Sequence, residues 1–211
     1  MKNILVISPH PDDEAIGCGG TIRKHICEGD AVEAIFLTSG GNGRRGESKE
    51  ETARTREQEA ESAARILGIS KMDFWREPDG AMEVREDLIL RLQRKIEERQ
   101  PQWMYVPHEM EAHPDHKTAA FLVLEAVKRL RKDARQPIVW MYEVWTPIQR
   151  IDHIVDISAY VDLKRRAIQA HKSQCAIMKF DEAILGLNRY RGEMHSWPGG
   201  DFAEVFTGMN K

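Results

Sequence analysis

The sequence lacks several features, and each absence excludes a class of protein. No apolar run in the 211 residues approaches the roughly 18 residues that a membrane-spanning helix needs. Cys18, Cys27 and Cys175 are an odd and scattered set of cysteines, which excludes a disulfide framework. The net charge is −3 and the isoelectric point about 6.3, so no excess of positive charge attracts nucleic acid or an anionic membrane.

The N-terminus also lacks the layout of a signal peptide. Met1-Lys2-Asn3 leads directly into the apolar run Ile4–Ile7. We therefore expect a cytoplasmic protein with neither a membrane nor a nucleic acid as its partner. Hydrophobic residues make up 41% of the sequence, which suffices for a sizeable core. Because no convincing linker divides the chain, we predict a single domain over residues 1–211.

Apolar runs typical of buried strands alternate with amphipathic segments of helical period. The predicted strands are Ile4–Ile7, Ala31–Leu37, Met72–Trp75, Trp103–Val106, Ile138–Trp145 and His153–Ile157. The predicted helices are Thr21–Gly29, Arg56–Leu67, Val84–Arg99, Lys117–Arg131, Ala159–Gln174 and Asp181–Tyr190. A loop over Arg191–Gly200 and a last strand or helix over Asp201–Phe206 complete the chain. This alternation predicts an α/β fold, a mostly parallel sheet with helices on both faces.

An unusual motif, Ser8-Pro9-His10-Pro11-Asp12-Asp13-Glu14, follows the first predicted strand and leads into a predicted glycine-rich turn, Gly17-Cys18-Gly19-Gly20. Three acids and an imidazole lie within five residues, between His10 and Glu14. Adjacent carboxylates repel one another, so a cation is expected among them. Because His nitrogen and Asp oxygen are both zinc ligands, the motif indicates a divalent metal.

A second motif, His113-Pro114-Asp115-His116, follows another predicted strand and precedes a predicted helix. Ligands of open α/β sheets bind at the carboxyl ends of the strands, where both motifs lie. His10 and Asp13 are three residues apart, and His116 would complete the three protein ligands of a catalytic Zn²⁺ site. The fourth position would hold water.

The remaining polar residues of the two motifs are candidates for the chemistry. Neighbouring side chains point apart, so Asp12 cannot easily face the metal with Asp13 and is free to act as the general base. His113 is the candidate partner for the oxyanion or the leaving amine, with Asp115 orienting it. Glu14 is expected in a supporting position, bonded to a ligand or to a nearby cation.

Together the motifs resemble the zinc-dependent N-acetylglucosamine deacetylases of the PIG-L or LmbE-like family, and the bacillithiol-type branch most of all. Supporting matches over most of the chain are Arg56-x-x-Glu59, Asp79-Gly80, His171-Lys172-Ser173-Gln174 and Phe202-Ala203-Glu204-Val205-Phe206. The resemblance implies a Rossmann-like fold and hydrolysis of an amide on a glucosamine nitrogen. It implies His10, Asp13 and His116 as zinc ligands, Asp12 as the base and His113 paired with Asp115. These are the roles that the residues themselves indicate.

The resemblance carries further expectations. It implies that Arg56 and Asp79 contact the sugar, and that the protein is a homo-oligomer, a trimer or a hexamer. The expected substrate is a small soluble N-acetylglucosamine conjugate, such as a malate conjugate of the bacillithiol type. One departure is Glu111, which stands where some members have a tyrosine that polarises the amide. We expect this difference to change the substrate.

Other functions remain open at this point. A zinc amidase for another N-acyl or thiol-conjugate substrate would share the metal site and differ in loops 39–55 and 191–200. A Rossmann-like nucleotide-binding module is disfavoured, because Gly17-Cys18-Gly19-Gly20 is not G-x-G-x-x-G and the acids would repel a phosphate. A purely structural zinc site is disfavoured too, because such sites are usually closed and rich in cysteine, whereas the three ligands here leave one position open. Trp140, Tyr142 and Trp145 are expected to share a strand face, in core or subunit packing rather than against a sugar.

Overall fold

The computed structural model describes residues 1–44, 46–195 and 200–209. Its strands are β1 (Asn3–Ser8), β2 (Ala31–Thr38), β3 (Lys71–Glu77), β4 (Trp103–Pro107), β5 (Ile138–Tyr142), β6 (His153–Asp156) and β7 (Ala203–Gly208). Its helices are α1 (Asp13–Cys27), α2 (Lys49–Leu67), α3 (Glu86–Arg99), α4 (Pro114–Lys128), α5 (Val161–Ala170), α6 (Lys172–Cys175) and α7 (Phe180–His195). A 3₁₀ turn, Ser158–Tyr160, precedes α5.

The described strands form one seven-stranded sheet in the order β3-β2-β1-β4-β5-β7-β6. The first five strands in this order pair in parallel. Strand β7 is antiparallel to both β5 and β6. The predicted single α/β domain with a mostly parallel sheet is confirmed.

The central strands are apolar along their whole length because helices cover both faces of the sheet. In β1, Ile4 and Val6 pack with α1, α2, α5 and α7, whereas Leu5 and Ile7 pack with α3 and α4. These two cores fix the plane of the sheet. In the described residues, no helix combines the length and the apolar character that a bilayer crossing requires.

The predicted start of the first helix is wrong, and the difference matters for the site. Helix α1 begins at Asp13 rather than Thr21, so the glycine-rich segment is helical instead of a turn. The helix breaks at Cys18, which has φ −144° and ψ 22°. The glycines allow close packing: a Cβ on Gly17 would lie 2.1 Å from the Tyr142 ring, and one on Gly20 2.6 Å from Ile157.

Other boundaries also differ from the sequence prediction. Strand β5 ends at Tyr142, three residues before the predicted end, and the predicted helix Ala159–Gln174 is divided into the 3₁₀ turn, α5 and α6. Helix α2 starts earlier than predicted, because Ser48 and Glu51 form a reciprocal capping box. Helix α7 continues to His195, so the predicted loop over Arg191–Gly200 is partly helical, and residues 196–199 lie outside the described part of the chain.

Candidate active site

The pocket lies at the edge of the sheet where β1 to β5 end. The strand order places β1 beside β4, at the point where the sequence order of the parallel strands reverses. Such a switch point opens a crevice between the loops that leave the two strands. The His10 and His113 motifs follow these two strands and line a pocket of about 270 Å³.

Three donor atoms face one another at the base of this pocket. Nδ1 of His10 lies 3.2 Å from Oδ2 of Asp13, and Nε2 of His116 lies 3.3 Å from both atoms. All three side chains are buried. A helix supports two of them, since Asp13 begins α1 and His116 lies in the first turn of α4.

This donor triangle fits a divalent metal. Ligands about 2.0–2.1 Å from a tetrahedral zinc lie about 3.3 Å from one another, close to the distances within the triangle. Two overlapping donor sets also lie within 4.8 Å, one of His10, His113 and His116, the other of His10, Asp79 and Asp115. The site could therefore hold a metal. We favour the triangle with Asp13 because its spacing matches direct ligation.

The second ring nitrogen of His10 is held by carboxylates. Its Nε2 lies 3.1 Å from Oδ2 of Asp115 and 3.2 Å from Oδ1 of Asp79. The Asp115 carboxylate also accepts hydrogen bonds from the amides of Gly80 and Met82. A carboxylate on the outer nitrogen orients a metal-ligating histidine and fixes its tautomer.

The expected role of Asp115 therefore needs correction. Its carboxylate is committed to His10 and to two backbone amides, rather than to the His113 ring. Only the backbone amide of Asp115 contacts that ring, donating to Nδ1 of His113 at 3.2 Å. His113 and Asp115 lie two residues apart at the start of α4, and side chains at this spacing on a helix do not face each other, so they have different partners.

The cluster has strongly perturbed pKa values. Burial lowers the pKa of His10, but Asp115, Asp13 and Asp79 outweigh it and raise that pKa well above its usual value. Burial raises the pKa of Asp13, but His116 and His10 hold it far below its usual range. Asp13 is therefore ionised and ready to bind a cation.

Asp12 lies beside the triangle and faces an arginine. Its Oδ2 is 3.0 Å from Nη2 of Arg56, yet burial outweighs this charge and raises the pKa of Asp12 to about 6. Its backbone has φ 156° and ψ −25°, a conformation that L-residues rarely adopt. A carboxyl group with such a pKa can accept a proton near neutral pH.

Arg56 is buried, and hydrogen bonds to backbone carbonyl groups hold its guanidinium group in place. It donates to the carbonyl oxygens of Gly40 and Pro11 at 3.2 Å. Gly40 has φ +64°, and a Cβ at that position would lie 2.3 Å from the guanidinium, so glycine is required there. Arg56 lines the pocket, and its contacts in the structure are with Asp12, Pro11 and the loop after β2, so its contact with a sugar stays a prediction.

His113 caps helix α4 and stays half-buried at the pocket wall. Its Nδ1 accepts the amide of Asp115, so the proton of the neutral ring is assigned to Nε2. Burial, and then the charges of His10 and His116, lower the pKa of His113. A neutral imidazole with a free N–H suits hydrogen bonding to a developing oxyanion.

Glu14 lies directly behind the site. It is fully buried, burial raises its pKa to about 8, and neither carboxylate oxygen has a hydrogen-bond partner among the described residues. The nearest cationic candidate is Nε2 of His171, at 3.9 Å, and burial lowers the pKa of His171 to about 3. Burial thus disfavours the charged form of both groups, and the Glu14 carboxylate has no hydrogen bond to a proposed metal ligand or to a cation among the described residues.

Asp79 connects the pocket to the loop after β2. Its Oδ2 accepts the amide of Asn42 at 2.7 Å, and Asn42 Nδ2 donates to the Asp79 carbonyl oxygen. Asp79, Asn42 and Gly43 all line the pocket. These polar residues of the pocket lining therefore come from the loops that leave β2 and β3.

Glu111 does not occupy the position of a polarising group. It is fully buried and accepts hydrogen bonds from the amides of Val144, Trp145 and Thr146. Its Oε2 lies 3.8 Å from Nδ1 of His116, too far for a hydrogen bond. The residue that stands in place of tyrosine therefore supports the loop after β5.

Sequence reasoning missed Trp145 as a residue of the site. The alternation rule assumed a strand as far as Trp145, but β5 ends at Tyr142. Trp145 instead lines the pocket together with Ile177, Met178 and Phe180. The backbone amides of Val144, Trp145 and Thr146 converge on the Glu111 carboxylate, and no pattern in a single sequence predicts this convergence.

A third group of potential metal donors, His25, Glu28 and Asp30, lies at the far end of α1. Both ring nitrogens of His25 are already bonded, to Asp30 and to the Tyr105 hydroxyl. Lys2 Nζ lies 3.2 Å from Asp30 and 3.9 Å from Glu28. This group is therefore satisfied as a structural network.

Comparison with known proteins assigns the family. A family model described as GlcNAc-PI de-N-acetylase, PIG-L, matches residues 5–127. The diacetylchitobiose deacetylase of Thermococcus kodakarensis is 34% identical, over 82% of this chain and 70% of that protein. The crystal structure of a diacetylchitobiose deacetylase from Pyrococcus horikoshii superposes with a TM-score of 0.87 and 28% identity, covering 99% of this chain and 84% of that one.

Two other relatives show how the family varies. A probable N-acetyl-α-D-glucosaminyl L-malate deacetylase 2 of Bacillus cereus is 30% identical, over 85% of this chain and 87% of that protein. A 4-oxalmesaconate hydratase of Pseudomonas putida is 31% identical, over 82% of this chain and 74% of that protein. The α/β fold and the sequence matches place the chain in the PIG-L family, and its pocket could hold a metal ion. The family and its deacetylase members support an N-deacetylase.

Proposed function

We propose that this protein is a zinc-dependent hydrolase that removes the acetyl group from the amide nitrogen of a small N-acetylglucosamine conjugate. The donor triangle of His10, Asp13 and His116 carries the proposal, because its atoms are 3.2–3.3 Å apart beside a candidate base. A bound zinc ion would supply a Lewis acid and lower the pKa of water toward ~7. The deacetylases among the relatives support the same chemistry.

The proposed roles follow from the contacts of each side chain. Asp12 accepts the proton of the attacking water, and Arg56 holds that carboxylate in place. His113 donates a hydrogen bond from Nε2 to the oxyanion of the tetrahedral intermediate. The proton taken up by Asp12 then passes to the amine nitrogen as the bond between that nitrogen and the acetyl carbon breaks, which releases acetate and the free amine. Asp115 orients His10. Asp79 and Arg56 are the proposed polar contacts of the sugar.

The charge of the pocket favours an uncharged amino sugar. Arg56 is the one Lys or Arg among the described lining residues, and it is already paired with Asp12. Asp12, Asp13 and Asp79 line the same pocket. A neutral N-acetylglucosamine disaccharide adds no charge to this pocket, whereas the carboxylates of a malate conjugate, the expected substrate, would need a cationic partner such as the proposed metal ion.

A hydratase is the second candidate function, because one relative of similar identity carries that name. The name 4-oxalmesaconate denotes an acid anion, which needs cationic partners in its site. Among the described lining residues the one arginine is already paired with Asp12, so such an anion would depend on the proposed metal ion for its cationic partner. An amidase for another N-acyl or thiol-conjugate substrate keeps the same machinery and is separated by the substrate panel below.

The test is release of free amine from N-acetylglucosamine, its disaccharide and its malate conjugate, with and without a zinc chelator. We expect chelator-sensitive release, fastest from the disaccharide, and restoration by added Zn²⁺. Restoration by Fe²⁺ in parallel would show which metal supports activity. Wild-type protein with bound metal that releases amine from no panel member would contradict the proposed function.

Two variants assign the roles in the same assay. Asp12→Asn keeps the shape of the side chain but removes the base, so we expect retained metal and a rate lower by about 10²–10⁴-fold. His116→Ala removes a proposed ligand, and we expect loss of bound metal measured by elemental analysis. Full turnover of Asp12→Asn, or unchanged metal content of His116→Ala, would overturn the respective role.

We also propose that residues 1–211 act as one catalytic domain in the cytoplasm and assemble as a trimer or a hexamer. Exposed apolar side chains on the described surface, such as Met110 and Met194, support an association of copies. Light scattering at micromolar concentration measures the assembly directly. A monomer across that range would contradict it.

A further inference from the structure

The pocket has one polar wall and one apolar wall, which come from different parts of the chain. Asn42, Asp79 and Arg56 belong to the β2 and β3 loops and to α2. Trp145 follows β5, and Ile177, Met178 and Phe180 lie between α6 and the start of α7. The apolar wall has no part in the proton transfers described above.

Trp145 is held firmly but left exposed. Its amide donates to both oxygens of the buried Glu111 carboxylate, at 3.0 and 3.1 Å. The indole meets the Phe180 ring edge to face, with centroids 5.6 Å apart and an interplanar angle of 72°. Despite these restraints the residue remains 45% exposed. An aromatic ring that is fixed by its surroundings offers a contact surface at a low cost in conformational entropy.

The rest of the loop is fixed by buried polar groups. Glu143 accepts the amide of Ile148 at 2.7 Å and forms a buried ion pair with Arg191. His108 Nε2 lies 2.7 Å from the carbonyl oxygen of Thr146. These contacts hold residues 143–148 at both ends, so the exposure of Trp145 belongs to an ordered loop.

We infer that Trp145 is the stacking platform for the pyranose ring of the substrate, and that Glu111 positions it. This inference rests on the proposed function and identifies a substrate contact for it. A pyranose has an apolar face of C–H groups and a rim of hydroxyl groups. Its apolar face would lie on the indole, while its hydroxyl groups would reach the polar wall at Asp79 and Asn42.

The pyranose is favoured over an acyl chain or a second protein copy as the occupant of this wall. An acyl chain offers no hydrogen-bonding group to the polar wall at Asp79 and Asn42, although both line the same small pocket. A second copy seated on Trp145 would block access to His10 and Asp12, which line that pocket too. A sugar ring can pack its C–H face on the apolar wall while its hydroxyl groups form hydrogen bonds with the polar wall.

Kinetics with the N-acetylglucosamine disaccharide test the platform. We expect Trp145→Ala to raise KM about 10-fold, because an aromatic stack and its buried area are lost, with kcat changed less than about 3-fold. Trp145→Phe retains an aromatic face and should restore most of the affinity. An unchanged KM in Trp145→Ala, or a change in oligomeric mass as its only effect, would overturn the inference.

Fluorescence supplies a readout that is independent of turnover. In the Asp12→Asn background, we expect the disaccharide to change the tryptophan emission, and Trp145→Phe to abolish that change. Trp140→Phe is the matched control, since Trp140 stacks on His153 away from the pocket and should leave the change intact. A change that survives Trp145→Phe would contradict the platform.

The two proposals fail in different ways. Failure of the proposed function appears as a metal-loaded wild-type protein that deacetylates no panel member. Failure of the platform appears as an active wild-type protein whose KM and emission are indifferent to Trp145. An absence of both turnover and any emission change would overturn both.

Discussion

His10 uses its two ring nitrogens for different purposes. Nδ1 faces Asp13 and His116, while Nε2 faces the carboxylates of Asp115 and Asp79. With a metal bound, His10 would keep one ring proton, on Nε2, and the lone pair of Nδ1 would be directed at the metal. The position of the lone pair thus depends on Asp115, which is held in turn by backbone amides of the loop after β3.

At the residue scale, we predict that Asp115→Asn weakens metal binding rather than acting through His113. Loss of the carboxylate behind a ligating histidine lowers metal affinity by about 10–100-fold. Competition with a chelator of known affinity measures this change. His113→Gln is the matched control and should keep the wild-type affinity. If Asp115→Asn keeps its metal affinity and loses only kcat, as His113→Gln does, the carboxylate acts on the His113 ring instead.

The residues of the site differ in how far sequence predicted them. His10, Asp13 and His116 stand in short local motifs, and the structure brings their donor atoms together. Trp145 and Glu111 depend on where β5 ends and on backbone amides that converge from another loop. Such tertiary hydrogen bonds leave no periodic trace in one sequence, so these two residues could not be assigned.

Helix α1 shows the same limit at the scale of an element. Glycine lowers helix propensity, so Gly17-Cys18-Gly19-Gly20 predicted a turn. The structure keeps the segment helical on both sides of a break at Cys18, packed tightly on Tyr142 and Ile157. Tertiary packing outweighs propensity here. The apolar strands, whose pattern reflects burial on both faces, were predicted to within a few residues of their observed bounds.

The backbone amides that follow the break in α1 find a hydrogen-bond acceptor in β7, near the other end of the chain. The amides of Gly20 and Thr21 donate to the two carboxylate oxygens of Glu204 in β7, at 2.9 and 2.7 Å. Lys164 of α5 donates to the same carboxylate at 2.6 Å, and both side chains are almost fully buried. Glu204, found in sequence only as part of a family match, therefore joins α1, α5 and β7.

At the element scale, we predict that Glu204→Gln destabilises the protein by about 3–5 kcal/mol, because it leaves the buried Lys164 charge without its counterion. Urea unfolding followed by circular dichroism gives the change in the free energy of unfolding. Lys164→Met combined with Glu204→Gln removes both charges and should recover a large part of the loss. Equal losses in the single and the double variant would show that the charge pair is not the source of the stability.

The whole molecule concentrates negative charge at one edge of its sheet. The segments that follow β1, β3 and β4 at that edge bring Asp12, Asp13, Asp79 and Asp115 around His10. Arg56 offsets part of this charge by pairing with Asp12. A divalent cation would offset more of it and would bind only the folded chain, because the ligands come from two motifs about a hundred residues apart in sequence. Binding of a metal ion at this site would therefore be coupled to folding.

At the scale of the whole molecule, we predict that chelation lowers the thermal unfolding temperature. A ligand present at 1,000 times its Kd stabilises the folded state by about 4 kcal/mol, and each kcal/mol corresponds to about 2–4 °C for a chain of this size, so the expected loss is about 8–16 °C. Scanning calorimetry of the chelated and the zinc-loaded protein measures the difference. His116→Ala is the control, since its melting temperature should hardly respond to zinc. Equal melting temperatures of chelated and loaded wild-type protein would show that the cluster does not bind the metal tightly in the folded state.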